Sequence, residues 1–265
     1  MSANKKKWHK YVAIGDSFTE GIADRGLGNS YLGWADRLAQ NLSDAYCTAE
    51  SPLRYGNLAV RGRLLTQMVT EQVPRAIELQ PDLVSFAGGV NDAMRGSFDL
   101  DVKATELERG IRALREANID VLLVAFGDPS SSAGLMRLIA DRFGGLNSAT
   151  VAIAKAYDCY ILDFWGIKSF HERSLWDEDR LHLSPLGHKL TAQMAMESLG
   201  WDPEVGPQEI PASPEPRKAE QFLEHVDWAR RHGAPWVSRR IRGVSSGDGI
   251  EPKFWSYVDV APRPM

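Results

Sequence analysis

The chain has 265 residues, 43% hydrophobic and 25% charged, with a formal net charge of −4. A chain this long buries roughly 70–75% of the surface its unfolded form exposes, so it folds without staples. Its composition excludes disorder, collagen and a disulfide-dense scaffold as whole-chain descriptions, and its acidic balance speaks against a nucleic-acid partner, which usually shows as a basic excess.

The N-terminus opens like a signal peptide, with Lys5, Lys6 and Lys7. The apolar region of such a peptide then fails to follow, because Trp8-His9-Lys10 intervenes and the run Tyr11–Ile14 stops at Gly15-Asp16. A cytoplasmic protein is expected. The apolar runs, such as Val121–Phe126, fall far short of the ~18 residues a membrane helix needs, so no integral membrane segment is expected.

Strands are expected at Tyr11–Ile14, Tyr55–Val60, Leu83–Ala87, Val121–Phe126 and Cys159–Phe164. Each is short, apolar and bounded by Gly, Asp, Asn or Pro, as buried parallel strands are. Between them lie helical patterns at Gly33–Ser43, Arg63–Leu79, Asp101–Ala117 and Leu135–Tyr157, the last with an expected break at Gly144-Gly145. A final helix has Ser184 as N-cap, Pro185 at its first position and Gly200 as its stop. This alternation implies an α/β fold, a parallel sheet covered on both faces. Ligands then bind beyond the carboxyl ends of the strands.

After Gly200 the pattern changes. Trp201–Pro216 carries five prolines and reads as a linker, Arg217–Arg231 as an amphipathic helix, and the remainder as irregular, with a basic cluster at Arg239, Arg240 and Arg242. The boundaries are therefore 8–200 for the main domain and 201–265 for an extension. Four of the eight tryptophans, Trp201, Trp228, Trp236 and Trp255, lie in that extension. Tryptophans dominate cores and interfaces, so the extension is expected to pack on the main domain or on a second copy of the chain, giving self-association. Cys47 and Cys159 read as buried free thiols, although spacing leaves a pairing open.

The residues beyond the strands carry chemistry. Gly15-Asp16-Ser17 follows the first, Asn57 and then Gly62 the second, Gly89-Val90-Asn91-Asp92 the third, and Asp179-Arg180-Leu181-His182 precedes the last helix. These are the parts of an acyl-transfer site. Ser17 is the candidate nucleophile, at a strand-to-helix turn whose N-terminal dipole favours negative charge. His182 is the candidate base, and Asp179 the group that fixes its tautomer and stabilises the imidazolium. The backbone N–H groups of Ser17 and Gly62 and the side-chain amide of Asn91 are the candidate oxyanion donors.

These blocks, in this order, resemble the SGNH hydrolases, also called GDSL-type lipases/esterases. Gly15-Asp16-Ser17-Phe18 is similar to the first block, with Phe18 where Leu is commoner; Gly62, Gly89–Asp92 and Asp179–His182 are similar to the others. The resemblance covers about residues 8–200. It implies a flavodoxin-like three-layer α/β/α sandwich with a five-stranded parallel sheet, and a serine esterase that hydrolyses a small-molecule ester through an acyl-enzyme, with no metal and no organic cofactor. Residues around Trp236–Gly249 also resemble the tail of an actinobacterial branch of these proteins. Acyl-CoA thioesters or acetylated carbohydrates are alternative substrates for the same machinery, and a non-catalytic binding protein is the alternative from another class.

Other residues have plainer readings. Asp16 and Asp92 are expected to bond turn backbone, and Asn57 supports either the second-block loop or the site edge. His188, six residues after His182, is expected to be packed or loop-bonded rather than part of an Asp/His/His metal site. His9, His171, His225 and His232 read as surface residues. Gly243-Val244-Ser245-Ser246-Gly247 satisfies G-x-S-x-G, but no histidine follows His232 and its flanks read as loop, so no nucleophile is expected there.

Overall fold

A computed structural model of the chain describes residues 5–26, 31–129, 135–202, 230–231 and 245–264. The expected linker from residue 203, most of the expected helix at 217–231, the basic cluster, His225, His232, Trp228 and Trp236 lie outside the described residues, as do parts of the loops after the first and fourth strands.

In chain order come β1 (Lys10–Gly15), α1 (Ser17–Glu20), α2 (Trp34–Tyr46) and β2 (Leu53–Asn57). Next, α3 (Leu65–Gln67) runs through a π-helical turn (Met68–Gln72) into α4 (Val73–Leu79). Then follow β3 (Leu83–Ala87), α5 (Val90–Ala93), α6 (Leu100–Glu116), β4 (Asp120–Ala125), α7 (Leu135–Leu138), α8 (Ala140–Ala156), β5 (Tyr160–Asp163), α9 (Pro185–Ser198) and β6 (Phe254–Val260).

The sheet order is β5-β4-β3-β1-β2-β6. The first five strands are parallel, as their sequences imply. Being buried on both faces, they read as nearly continuous apolar runs. Alternate side chains feed two cores. Tyr11, Ala13, Tyr55, Leu122 and Val124 meet Trp34, Leu38 and Leu42 of α2 and Ala192, Ala195 and Met196 of α9. Val12, Ile14, Val84, Phe86, Val121 and Leu123 meet Met68 and Val69, Val73 of α4, Leu107, Ile111 and Leu114 of α6, and Leu146 and Ile153 of α8. This is the three-layer α/β/α sandwich. Cys47 and Cys159 are free thiols, half-buried rather than buried as expected, because each sits beyond the end of its element and packs only against the margin of a core, on opposite faces of the sheet.

Three details depart from the sequence expectations. The sheet has a sixth strand: β6 pairs antiparallel with β2, with a register irregularity between Tyr55 and Asn57. Its sequence, Phe-Trp-Ser-Tyr-Val-Asp-Val, is rich in aromatic and β-branched residues. It is an edge strand with half-exposed faces, so its polarity is mixed and it reads as irregular. Second, α8 runs unbroken through Gly144-Gly145, and the break falls at Ile139. A Cβ on Gly145 would sit 2.6 Å from Leu100 Cδ2; this glycine admits a neighbouring helix rather than ending its own. Third, the long helix between β2 and β3 contains the π turn. Val73 N–H reaches back to Met68 O, and Pro74, with no N–H to give, follows at once. The turn carries Gln72 into the core, where Gly15 N–H donates to Gln72 Oε1 (2.9 Å) and Gln72 Nε2 donates to Gly15 O (3.0 Å). The end of β1 is thereby held through both backbone groups of its last residue.

Candidate active site

In this strand order β1 lies between β3 and β2, so the connections that leave β1 and β3 run in opposite directions, the switch point at whose carboxyl ends sheets of this kind bind ligands. Ser17 stands there, at the first position of α1, half-buried. Asp16 caps the turn: its Oδ1 accepts Phe18 N–H at 3.1 Å, and its backbone carbonyl accepts Thr19 and Glu20 N–H at 3.1 and 2.9 Å. With only four residues α1 has little macrodipole. What it supplies is a fixed set of backbone donors. Phe18 fills the space beside Trp34, Phe126 and Phe164, ring centroids 5.7, 5.2 and 6.1 Å away. An aromatic cluster thus takes up the bulk by which this residue exceeds leucine.

Asn91 opens α5 after β3. Its Nδ2 donates to Asp16 Oδ2 at 2.8 Å and to Arg63 O at 3.2 Å. One amide therefore ties the residue before Ser17 to the residue after Gly62. Asp92 turns the other way: its Oδ2 accepts Leu65 N–H at 3.0 Å, and Lys103 Nζ lies 3.2 Å from its Oδ1. Asn57 is buried; it donates to Thr19 O and Tyr55 Oη and accepts Ala59 N–H. Its role is to shape the loop towards Gly62, which resolves the choice that sequence left open.

Gly62 has φ +75°, in the region that favours glycine. Beside it, Arg61 is fastened to Glu20, buried at the end of α1. Arg61 N–H donates to Glu20 Oε2 at 2.8 Å, and the guanidinium pairs with both carboxylate oxygens. Sequence reasoning missed Glu20, Arg61 and Gln72, because no spacing rule links side chains that meet only through the sheet order.

The Asp179–His182 segment crosses from β5 to α9. Bonds from Asp177 N–H to His182 O (2.8 Å) and from Ser184 N–H to Leu175 O (2.9 Å) clasp its base, and Arg180 takes φ +58° to close it. Asp179 Oδ1 accepts Leu181 and His182 N–H, both at 2.9 Å, while Oδ2 lies 2.5 Å from His182 Nδ1. Burial pushes the Asp179 carboxyl up, but the hydrogen bonds and charge of His182 outweigh it and hold the group at about 2. His182 is near enough to the β1 end to act electrostatically on Asp16. Burial raises the Asp16 carboxyl to about 6 against the opposing pull of Phe18 N–H and His182.

His188 is fully buried. Its Nδ1 accepts Trp34 N–H at 3.2 Å and its Nε2 lies 3.2 Å from Ile22 O. Both ring nitrogens are thus committed to backbone, which leaves neither for a metal beside Asp179 and His182. Burial depresses its pKa to about 4, against the pull of the Ile22 carbonyl and Asp24. Because the folded pKa is the lower one, its neutral form contributes stability that is full above pH 6.5 and lost as pH falls to about 4. That loss is on the order of 3 kcal/mol. Thermal melts between pH 7 and 4 should show it in the wild type and not in His188→Gln, which keeps one donor and one acceptor; equal pH slopes in the two proteins would refute the assignment.

No helix among the described residues is long and apolar enough to cross a membrane. The fold is similar to that of solved esterases. Axe2, an acetylxylan esterase from Geobacillus stearothermophilus, is 19% identical, with a TM-score of 0.61 over 77% of this chain and 100% of that one. The psychrotrophic esterase EstA from Pseudoalteromonas sp. is also 19% identical, with a TM-score of 0.57 over 72% of this chain and 97% of that one. No curated protein sequence matches the chain. The GDSL-like Lipase/Acylhydrolase family model matches residues 13–190, a span that runs from within β1 into α9 and takes in all four strand-end blocks. The chain belongs to that family and is classified among its carboxylic ester hydrolases.

Proposed function

We propose that the protein is a serine esterase in which Ser17, His182 and Asp179 act as a triad. The observation that carries this reading is the Asp179 Oδ2–His182 Nδ1 contact of 2.5 Å. With Nδ1 engaged by a carboxylate, the proton sits there and Nε2 keeps its lone pair, the tautomer a general base needs. Ser17 Oγ attacks the ester carbonyl as His182 Nε2 takes its proton. The resulting oxyanion is met by the N–H groups of Ser17 and Gly62 and by Asn91 Nδ2. Both Asn91 amide hydrogens are engaged at rest, and the longer bond, 3.2 Å to Arg63 O, is the one exchanged for the oxyanion. The alcohol leaves with the proton from His182. Water, activated by the same histidine, then releases the acid and restores Ser17.

Two likenesses support the reading. Catalytic mutants of Axe2 replace a serine, an aspartate and a histidine three residues beyond that aspartate, the spacing of Asp179 and His182 here. A structure of EstA is of the enzyme inhibited by monoethylphosphonate. The reading also carries forward a cytoplasmic location, a main domain over 8–200 and an extension over 201–265 that packs on it or on a second copy. A panel of esters, thioesters and acetylated carbohydrates, acetylxylan included, assigns the substrate.

The direct test is a fluorophosphonate probe on the wild-type protein. One equivalent should bind, and peptide mapping should place it on Ser17. Labelling on Ser245 or Ser246, or no labelling alongside no hydrolysis of p-nitrophenyl acetate, overturns the proposal.

A further inference from the structure

The turn Ser245–Gly249 begins 183 residues beyond Gly62 in sequence and lies directly against it in space. A Cβ on Gly62 would lie 2.5 Å from Ser245 Oγ and 3.0 Å from Ser246 Oγ. A Cβ on Gly247 would lie 2.1 Å from Arg61 O and 3.0 Å from Val60 Cγ1. Two glycines therefore allow two backbones to meet at Arg61–Gly62, and Gly247 is buried there between exposed Ser246 and Asp248.

The turn is stiff. Asp248 Oδ2 accepts Ser245 N–H at 2.9 Å, Ser245 Oγ accepts Gly247 N–H at 3.2 Å, and Ile250 N–H closes on Gly247 O at 3.1 Å. It is also anchored. Lys253 Nζ donates to Asp36 Oδ2 (2.6 Å) and Tyr31 O (2.7 Å), with both charged side chains almost buried. Beyond it β6 zips along β2, the strand that feeds the Gly62 loop. At rest the loop is held on one flank by Glu20 through Arg61, on another by the Asn91 bond to Arg63 O, and on its outer side by this turn; once Asn91 turns to the oxyanion, Glu20 and this turn are what keep it in place.

We propose that the Ser245–Gly247 turn is a positioning element for the oxyanion site: it sets the backbone of Arg61–Gly62 and so the aim of Gly62 N–H. The inference rests on the esterase reading and on Gly62 as an oxyanion donor. An oxyanion donor works only within about 2.7–3.1 Å of the developing charge, so small shifts of this backbone act on the transition state more than on substrate binding. The serines of the G-x-S-x-G match acquire a role here as packing groups over Gly62.

The test counts active sites by fluorophosphonate titration and then measures kcat and KM for p-nitrophenyl acetate, together with the affinity for phenylboronic acid, which forms a tetrahedral anion on a serine. Gly247→Ala pushes a methyl into the Arg61 carbonyl. It should lower kcat per titrated site by about 10–100-fold, the scale expected for a displacement approaching 1 Å, leave KM within about threefold, and weaken the boronate by a similar factor to kcat. Ser245→Ala removes the inner brace and should show the same signature at smaller size. If Gly247→Ala fails to fold, Ser245→Ala decides. A lower melting temperature with unchanged kcat per titrated site and unchanged boronate affinity makes the turn packing alone and overturns the inference. A wild type that neither hydrolyses the ester nor takes the probe overturns the esterase reading itself, and this inference with it.

Discussion

Ser17→Ala should lower kcat/KM for p-nitrophenyl acetate by about 10⁶-fold, and His182→Ala by about as much, the scale at which a triad serine or histidine fails. The double variant should be no worse than either single one, because on the proposed reading Ser17 and His182 form one working unit. Asp179→Asn should cost about 10⁴-fold. An asparagine at 179 retains an oxygen for the Leu181 and His182 N–H groups, so the loop keeps its shape. It presents an amide or a neutral oxygen to Nδ1, however, and loses the charge that stabilises the imidazolium. Steady-state kinetics, with circular dichroism melts at pH 7 to confirm folding, provide the measurement. A Ser17→Ala protein that retains more than a thousandth of wild-type activity contradicts the nucleophile assignment. There is also a stability consequence with a definite sign. The Asp179 carboxyl sits at about 2, below its ordinary 3.8, so its contribution is full above pH 3.8 and is lost as pH falls through 2. Asp179→Asn should be less stable at neutral pH by an amount that shrinks in strong acid.

Asn91→Ala carries the second-largest effect. With Asn91 as the oxyanion donor proposed above, its removal should cost about 10²–10³-fold in kcat with little change in KM, since that interaction strengthens only as charge develops. In this protein the same amide also donates to Asp16 Oδ2. The substitution therefore leaves the Asp16 carboxylate short of a donor in a buried place, and the carboxyl, already raised to about 6 by burial, rises further. A raised folded pKa contributes stability that is present below pH 3.8 and lost as pH rises through 6. Asn91→Ala should therefore lose more stability than the wild type across that rise. The two effects are measured separately: kcat and KM at fixed pH, and melting temperature against pH. A kcat within threefold of wild type removes Asn91 from the oxyanion site, whatever the melts show.

The sheet was legible because its strands are short, apolar and buried on both faces. The runs at Tyr11–Ile14 and Leu83–Ala87 lie within or on β1 and β3. Pro185 after Ser184 marked the start of α9, where Ser184 Oγ accepts Gly187 N–H at 3.2 Å. The second strand spans Leu53–Asn57 rather than the expected Tyr55–Val60; Leu58, Ala59 and Val60 are as apolar and buried as the strand, and Leu58 and Val60 N–H still donate to Ala13 O and Gly15 O of β1 beyond its end. Gly144-Gly145 misled because sequence does not distinguish a glycine that ends a helix from one that lets Leu100 in. The strand β6 was missed because an edge strand need not be apolar on both faces.

Of the candidate site, sequence supplied the residues with chemistry: a serine, an asparagine and a glycine in the loops that follow β1, β3 and β2, and a histidine with an aspartate three positions earlier in the loop before α9. The Asp179–His182 pair could be expected to converge because its partners are three residues apart and one loop carries both. Tertiary structure alone decided what holds these groups. Gln72 grips Gly15 across a π turn, Glu20 grips Arg61, Asn91 joins Asp16 to Arg63, and the Ser245–Gly247 turn covers Gly62. Each of these contacts spans 28 to 185 residues of sequence and exists because the strand order brings the ends of β1, β2 and β3 side by side with β6 at the edge. Local pattern encodes what a residue can do chemically, since that depends on its own atoms and near neighbours. Where it is aimed depends on close packing between elements distant in the chain, and that is set only when the sheet assembles.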